Sequence, residues 1–270
     1  MGRGLSGWRF VGASVRGTSH DRSGTPCQDA HQARTVGEGP DGPVLVLACA
    51  DGAGTAERGQ DGALIACARM LELAAELVEA GHGVRQLDDG MLPFWIDRAA
   101  ESIAVQAAAA RRRPRDYACT LLVAVIDGYG AAYAQVGDGA IVIGDGDGYT
   151  PVFWPQSGEY ANTTFFVTDP PERRSICSDV RASPPMEAAL FTDGVQSLAL
   201  RFADRAAHAP FFGIFFPALR AQPAGEAHSL RAELDAFLSS DAVNQRTDDD
   251  KTLVIATRFP HADAGEPATS

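Results

Sequence analysis

Apolar positions along the chain follow two rhythms. Short unbroken or alternating runs mark strands at Trp8 to Val15, Val44 to Ala50, Ala118 to Ile126, Ala131 to Val136, Ile141 to Ile143, Ala188 to Thr192 and Thr252 to Thr257. These runs are short, rich in β-branched residues and bounded mostly by Gly, Pro or Asp, which favours strands over helices. In the second rhythm, Ala63, Leu64, Cys67, Met70, Leu71, Ala74, Leu77 and Val78 recur at helical spacing. This predicts one amphipathic helix over 58–80, stopped by Gly81. A second helix is predicted over about 93–112, with Ile96, Ala100, Ile103 and Ala107 on one face. Arg111 to Arg115 suit its C-terminal end electrostatically, with a phosphate-docking patch as the alternative. Further helices are predicted after Gly194 and over about 228–239.

Between these elements, Arg16 to Asp29 reads as an irregular polar loop because of Gly17, Gly24 and Pro26. Residues 35–43 read as a turn into the run at Val44. Residues 151–168 are expected to hold further strands, and 169–187, which are Pro-rich, mostly loop. Phe211 to Pro217 is apolar but short, and reads as a packed connection. The turns at Asp127-Gly128 and Asp145 to Gly148 are hairpin chemistry. A calcium loop at Asp145 would need oxygen ligands where Tyr149 and Gln156 stand. Helices therefore come in groups and do not alternate with single strands. That order predicts an α+β fold, with an antiparallel sheet core and helices packed outside it. One domain is predicted over 1–260, with a disordered tail over 261–270.

Composition narrows the function. The chain has 270 residues, 45% of them hydrophobic, and a net charge of −12. That acidity argues against a nucleic-acid surface. No apolar run approaches the ~20 residues that span a bilayer, so no membrane segment is expected. Five scattered cysteines without CxxC spacing read as reduced thiols of a cytoplasmic protein.

The acidic residues then give the chemistry. The run at Val44 ends in Asp51-Gly52, the run at Ala188 ends in Asp193-Gly194, and the run at Ala131 ends in Gly137-Asp138-Gly139. At the last strand the order inverts, and Asp248-Asp249-Asp250 precede it. In an antiparallel sheet the end of one strand lies beside the start of its neighbour. The four carboxylate positions can thus gather at one edge of a sheet core. Gathered carboxylates repel unless cations neutralise them. Oxygen ligands without His or Cys point to Mg2+ or Mn2+ over zinc. The bland reading of Asp51, a cap on the following helix, applies to one such position but not to their repetition. A dinucleotide fingerprint at Gly52 and Gly54 is disfavoured by Glu57 at the third glycine position and by the charge of Asp51.

Gln28-Asp29, Asp51-Gly52-Ala53-Gly54, Val136-Gly137-Asp138, Phe191-Thr192-Asp193-Gly194 and Asp249-Asp250-Lys251-Thr252 occur in the order seen in PP2C-type (PPM) phosphatases. The chain resembles that family over roughly residues 8–257, and its Gly17 to Asp29 segment looks like a bacterial branch. The resemblance implies a four-layer α-β-β-α sandwich, an antiparallel β-sandwich flanked by helix pairs. It implies a serine/threonine protein phosphatase using two Mn2+ or Mg2+ ions and a third, weaker one. Asp51 would bridge two ions, the Gly52 carbonyl would complete the second site, and Asp193 and Asp249 would hold the first. Asp29 would orient metal-bound water, and Asp138 would share the third ion with Asp193. A phosphorylated protein is the implied substrate. A Ser/Thr kinase and a von Willebrand A-type protein are implied partners.

Three positions depart from the family pattern. Gln28 stands where many relatives have Glu, and would accept from metal-bound water without adding charge. Gly24 stands where many have a phosphate-holding Arg, leaving Arg16, His20 or Arg22 to take that role. Ala53 stands where the eukaryotic branch often has His, so a water would have to protonate the leaving group. The rival function is a catalytically weak phosphoprotein-binding or regulatory module. Asp51, Asp193 and Asp249 speak against it, and the missing Arg speaks for it.

Overall fold

The computed structural model describes residues 7–156 and 164–258. The strands in chain order begin with β1 (Arg9–Val15), β2 (Ala30–Gly39), β3 (Gly42–Ala50), β4 (Leu121–Ile126) and β5 (Ala131–Val136). They continue with β6 (Ala140–Gly144), β7 (Tyr149–Pro151), β8 (Cys177–Arg181) and β9 (Glu187–Phe191). The last are β10 (Leu200–Arg201), β11 (Ala206–Ala207), β12 (Gly225–Glu226) and β13 (Lys251–Thr257). The helices are α1 (Thr18–Ser23), α2 (Gly59–Glu79), α3 (Met91–Ala109), α4 (Asp193–Ala199), α5 (Ala209–Arg220), α6 (His228–Leu238) and α7 (Asp241–Asn244).

Two sheets carry the fold. One has the order β12-β1-β13-β9-β6-β7, the other β2-β3-β4-β5-β8, and every pairing in them is antiparallel except β1 with β12. Strand β3 shows why the layers form. Alternate side chains leave opposite faces of a strand. Val44, Val46, Ala48 and Ala50 pack toward α2 and α3. Leu45, Leu47 and Cys49 pack between the sheets. Each buried leucine there stabilises the fold by roughly 1.5–3 kcal/mol. Strand β13 does the same for the other sheet. Leu253 and Ile255 face the cluster of α4, α5 and α6, while Val254 and Ala256 face the inter-sheet core. Helix pair, sheet, sheet and helix layer therefore stack in that order, which is the predicted sandwich.

The helix expected over 58–80 is α2, and that expected over 93–112 is α3. Four expectations are corrected. Phe211 to Pro217 is not a connection but the middle of α5, whose Phe211, Phe212, Phe216 and Leu219 are buried. Pro217 lacks the N–H for a bond to the carbonyl of Gly213, and the helix continues because packing outweighs that loss. The loop Arg16 to Asp29 contains α1. Residues 35–39 belong to β2, which pairs with β3 through a bulge between Thr35 and Gly37. No strand follows β7 among the described residues up to 168, whereas the 169–187 stretch is mostly loop as expected, with the short strand β8 inside it. The tail over 261–270, expected to be disordered, lies outside the described residues.

The strands set the site. β3 and β5 are both antiparallel to β4, so they run the same way and end at the same edge. β13 is antiparallel to β9, so its start lies beside the end of β9. The link Gly137 to Gly139 carries the chain from β5 in one sheet to β6 in the other. The carboxylate positions are therefore divided between two facing sheets, not gathered along the edge of one.

Candidate functional site

Asp51 leaves the end of β3. Its N–H donates to Thr120 Oγ1 (2.9 Å) and its carbonyl accepts from the Thr120 N–H (2.8 Å), which fixes the bend. The cap position of α2 is Arg58, so Asp51 is not a helix cap. A Cβ on Gly52 would stand 2.3 Å from the carbonyl carbon of Gly59. Only glycine lets the strand end pass against the start of α2. Gly194 is constrained in the same way, since a Cβ there would meet the Asp250 carbonyl oxygen at 1.9 Å. The Asp-Gly pairs thus have a packing cause as well as a chemical one.

Asp29 precedes β2 and lies beside Asp51 because Ala30 pairs with Ala50. Its Oδ2 accepts from Thr192 Oγ1 at 2.7 Å, and Thr192 Oγ1 accepts from the Thr252 N–H at 3.0 Å. This chain ties the two sheets together across the site. Asp29 Oδ1, Asp193 Oδ1 and Gln28 Oε1 are buried and accept no hydrogen bond. Gln28 Nε2 donates to the Ala56 carbonyl (3.2 Å), so its amide oxygen is the atom left over.

The acidic side chains press on one another. Burial, partly offset by hydrogen bonds from Thr192 and Thr252, raises Asp29 to about 7. Burial, then the charges of Asp138, Asp249 and Asp29, raises Asp193 to about 8. Asp51 is held well above the carboxylate range by burial and by Asp29, Asp193 and Asp249. Asp138 is raised by burial, with Asp249 adding to it. Such shifts mean that the ionised forms are short of positive partners. Among the described residues no ion pair reaches any of these five carboxylates. Lys251, buried behind them, spends its ammonium on Asn244 Oδ1 (3.0 Å) and the Asp249 carbonyl (3.1 Å).

This donor set suits a hard divalent cation. It is all oxygen, part of it lacks hydrogen bonds, and the thiols of Cys49, Cys67 and Cys119 are pushed up by burial and so stay neutral. Among the described residues no three His, Cys, Asp or Glu side chains converge into a ready-made ligand group. Like charges stand apart unless a cation sits between them.

The three phosphate-holding candidates lie on or beside α1 and each meets a carboxylate of the chain. Arg16 pairs with Asp21, and Arg22 with Asp248 at 2.8 Å, both on the surface. His20 Nδ1 is 2.9 Å from Asp250 Oδ2. At the other basic cluster, Arg112 pairs with Glu57 and Arg113 with Asp116. The sequence reading missed Asp250. Asp249 is exposed, while Asp250 is buried and also accepts the N–H groups of Gly17 (2.6 Å) and Gln28 (2.5 Å). In a run of three aspartates nothing distinguishes the one that turns inward. Thr192 and Thr252 were also missed as partners of Asp29, although both lie inside the quoted motifs.

A family model described as Protein phosphatase 2C matches residues 16–239. Serine/threonine-protein phosphatase 3 of Escherichia coli (strain K12) is 37% identical over 249 residues, covering 92% of this chain and 98% of that protein. Among solved structures, PppA, a key regulatory component of T6SS in Pseudomonas aeruginosa, superposes with a TM-score of 0.62 at 14% identity, covering 94% of this chain and 99% of that one. Serine/threonine phosphatase Stp1 from Staphylococcus aureus gives a TM-score of 0.58 at 14% identity, covering 95% and 98%. At that identity the structural likeness speaks for the fold alone.

Proposed function

The chain belongs to the protein phosphatase 2C family of phosphoprotein phosphatases, and on that premise we propose that it hydrolyses phosphoserine and phosphothreonine in proteins by a mechanism that depends on Mn2+ or Mg2+. One observation carries the reading. Asp29, Asp51, Asp138 and Asp193 are each raised by burial and by the charge of neighbouring aspartates, Asp249 among them, and among the described residues no ion pair reaches any of the five.

Asp51, the Gly52 carbonyl, Asp193 and Asp249 would hold two ions, with Asp51 common to both. Gln28 Oε1 would accept from water at the second ion. Asp138 with Asp193 would hold a third, weaker one. When bound, a pair of divalent ions supplies an activated water and neutralises charge developing at phosphorus. Asp29, anchored through Oδ2 by Thr192, keeps Oδ1 to orient the attacking water and take its proton. Arg16 and Arg22, at the rim, can each exchange their surface carboxylate for the substrate phosphate, because exposed pairs are weak.

The same proposal includes one domain over residues 1–260 and a cytoplasmic location, supported by five unpaired cysteines. It also includes a kinase and a von Willebrand A-type protein as partners, which co-purification of the native complex tests. No helix of the described residues is long and apolar enough to cross a membrane. The direct test of function is hydrolysis of a phosphothreonine peptide. Turnover should vanish on exhaustive chelation and return with Mn2+. Undiminished turnover after chelation contradicts metal dependence. No turnover under any metal would instead favour a phosphoprotein-binding module.

A further inference from the structure

The arginine run Arg111, Arg112, Arg113 and Arg115 takes no part in the chemistry above, yet it lies beside the site. The chain enters β4 from this run, and the residues between them pair with the segment that leaves β3. Gly52 bridges Cys119, the Ala53 N–H donates to the Ala118 carbonyl (2.8 Å), and the Arg58 N–H donates to the Asp116 carbonyl (2.7 Å). The run therefore flanks the loop 53–58, which starts at the proposed ion ligands Asp51 and Gly52. Arg112 also pairs with Glu57 of that loop at 2.6 Å.

Closing α3 does not require these side chains. The Arg111 N–H donates to the Ala108 carbonyl (3.0 Å) and the Arg112 N–H to the Ala107 carbonyl (2.8 Å). Helix α2 ends with the same two bonds, from the Gly81 N–H to the Val78 carbonyl (2.9 Å) and from the His82 N–H to the Leu77 carbonyl (3.1 Å). There the left-handed residue is Gly81, with φ 77°; at the end of α3 it is Arg111, with φ 56°. Glycine takes that conformation without strain, whereas a residue with a side chain does not. An arginine kept where glycine is favoured points to a use for its guanidinium.

The charge around the run is unbalanced. All four arginines are exposed. Arg112 and Arg113 have surface partners in Glu57 and Asp116. Among the described residues no carboxylate comes within ion-pair reach of Arg111 or Arg115. A chain of net charge −12 thus carries a positive rim next to its acidic site.

We propose that this rim docks acidic residues flanking the phosphorylated serine or threonine, so that the chain prefers phosphosites in acidic surroundings. This rests on the phosphatase reading above. A negative protein repels an acidic phosphopeptide, and a positive patch beside the site offsets that repulsion and attracts the flanking carboxylates. Arg111 and Arg115 supply the contacts, being the two without a carboxylate in the structure. The contacts are the same in the ground state and the transition state, so they lower KM and leave kcat alone. Two surface pairs together are worth about tenfold in kcat/KM.

Wild type and the double variant Arg111→Gly with Arg115→Gln are compared at saturating Mn2+ on three substrates. These are p-nitrophenyl phosphate, a phosphothreonine peptide with aspartates on both sides, and the same peptide with asparagines in their place. Glycine relieves the left-handed turn and Arg115 is exposed, so the variant should melt no lower than wild type. Wild type should favour the acidic peptide by about tenfold in kcat/KM, through KM. The variant should lose that preference and keep its rate on p-nitrophenyl phosphate. No preference in wild type, or one that survives in the variant, overturns the proposal. So does an equal loss on all three substrates. Failure of wild type to turn over p-nitrophenyl phosphate with Mn2+ would instead sink the phosphatase reading itself.

Discussion

The two ends of strand β9 treat a buried acid in opposite ways. At its start, Glu187 is 1% exposed and accepts from Arg220 twice (2.9 Å each), Tyr149 Oη (2.9 Å) and Thr257 Oγ1 (3.2 Å). Just past its end, Asp193 has a buried oxygen with no partner and is pushed up to about 8. One carboxylate of this strand is thus neutralised by the Arg220 guanidinium of α5, while among the described residues no such group reaches the other. Burying charge without a partner costs stability, and at the second end that cost falls on Asp29, Asp51, Asp138 and Asp193 together. Among the described residues an arginine meets the acid at one end and none meets the acid at the other, which is the contrast the proposed cation site explains.

The largest test of this contrast is Asp51→Asn. If Asp51 serves two ions together, turnover of a phosphothreonine peptide should fall by about 1,000-fold or more at saturating Mn2+. A loss below about tenfold would make Asp51 an ordinary buried acid.

Stability should respond to charge removal with opposite signs at the two ends. Glu187→Ala strips the partner from Arg220. Because that arginine is partly exposed, the loss is discounted to about 2 kcal/mol. Asp51→Asn in metal-free protein removes the cost of holding a buried carboxyl protonated where the unfolded chain would ionise it, and should stabilise by about 1 kcal/mol. Urea unfolding of both variants in chelator gives the comparison. Destabilisation in both would mean that the acidic end is already neutralised from within.

A pH scan sharpens the same point. Asp29 at about 7 and Asp193 at about 8 lie above the ordinary carboxylate value near 4. Between about pH 4 and 8 the folded metal-free chain thus holds protons that the unfolded chain has lost. Its stability must fall as pH rises through that window. Metal displaces those protons, so the Mn2+-saturated protein should lack the decline. Melting temperatures at pH 5 and pH 8, with chelator and with Mn2+, measure the difference. A metal-free protein as stable at pH 8 as at pH 5 contradicts the shifts.

Much of this was readable before the structure. The strands around Val44 and Thr252 and the helices α2 and α3 follow from periodicity, because each buries a continuous face. The Asp-Gly pairs marked the acidic end because glycine is forced there by backbone contacts at Gly59 and Asp250. Other features carried no local signal. β2 is a polar edge strand with a bulge, and its residues are mostly half-exposed, so its pattern reads as a turn. α5 hid behind Pro217 and a dense phenylalanine run. The inward turn of Asp250, and with it the setting of His20, depends on the packing of α1 against the start of β13. That contact joins residues over two hundred positions apart.

The central claim is that the acidic end is a cation site whose members have unequal parts. Calorimetric titration of Mn2+ into wild-type protein, Asp51→Asn and Asp138→Asn measures it directly. Wild type should show tight binding, which Asp51→Asn loses and Asp138→Asn keeps, since Asp138 is assigned only to an outer ion. Absence of tight binding in wild type, or its equal loss in both variants, would contradict the account.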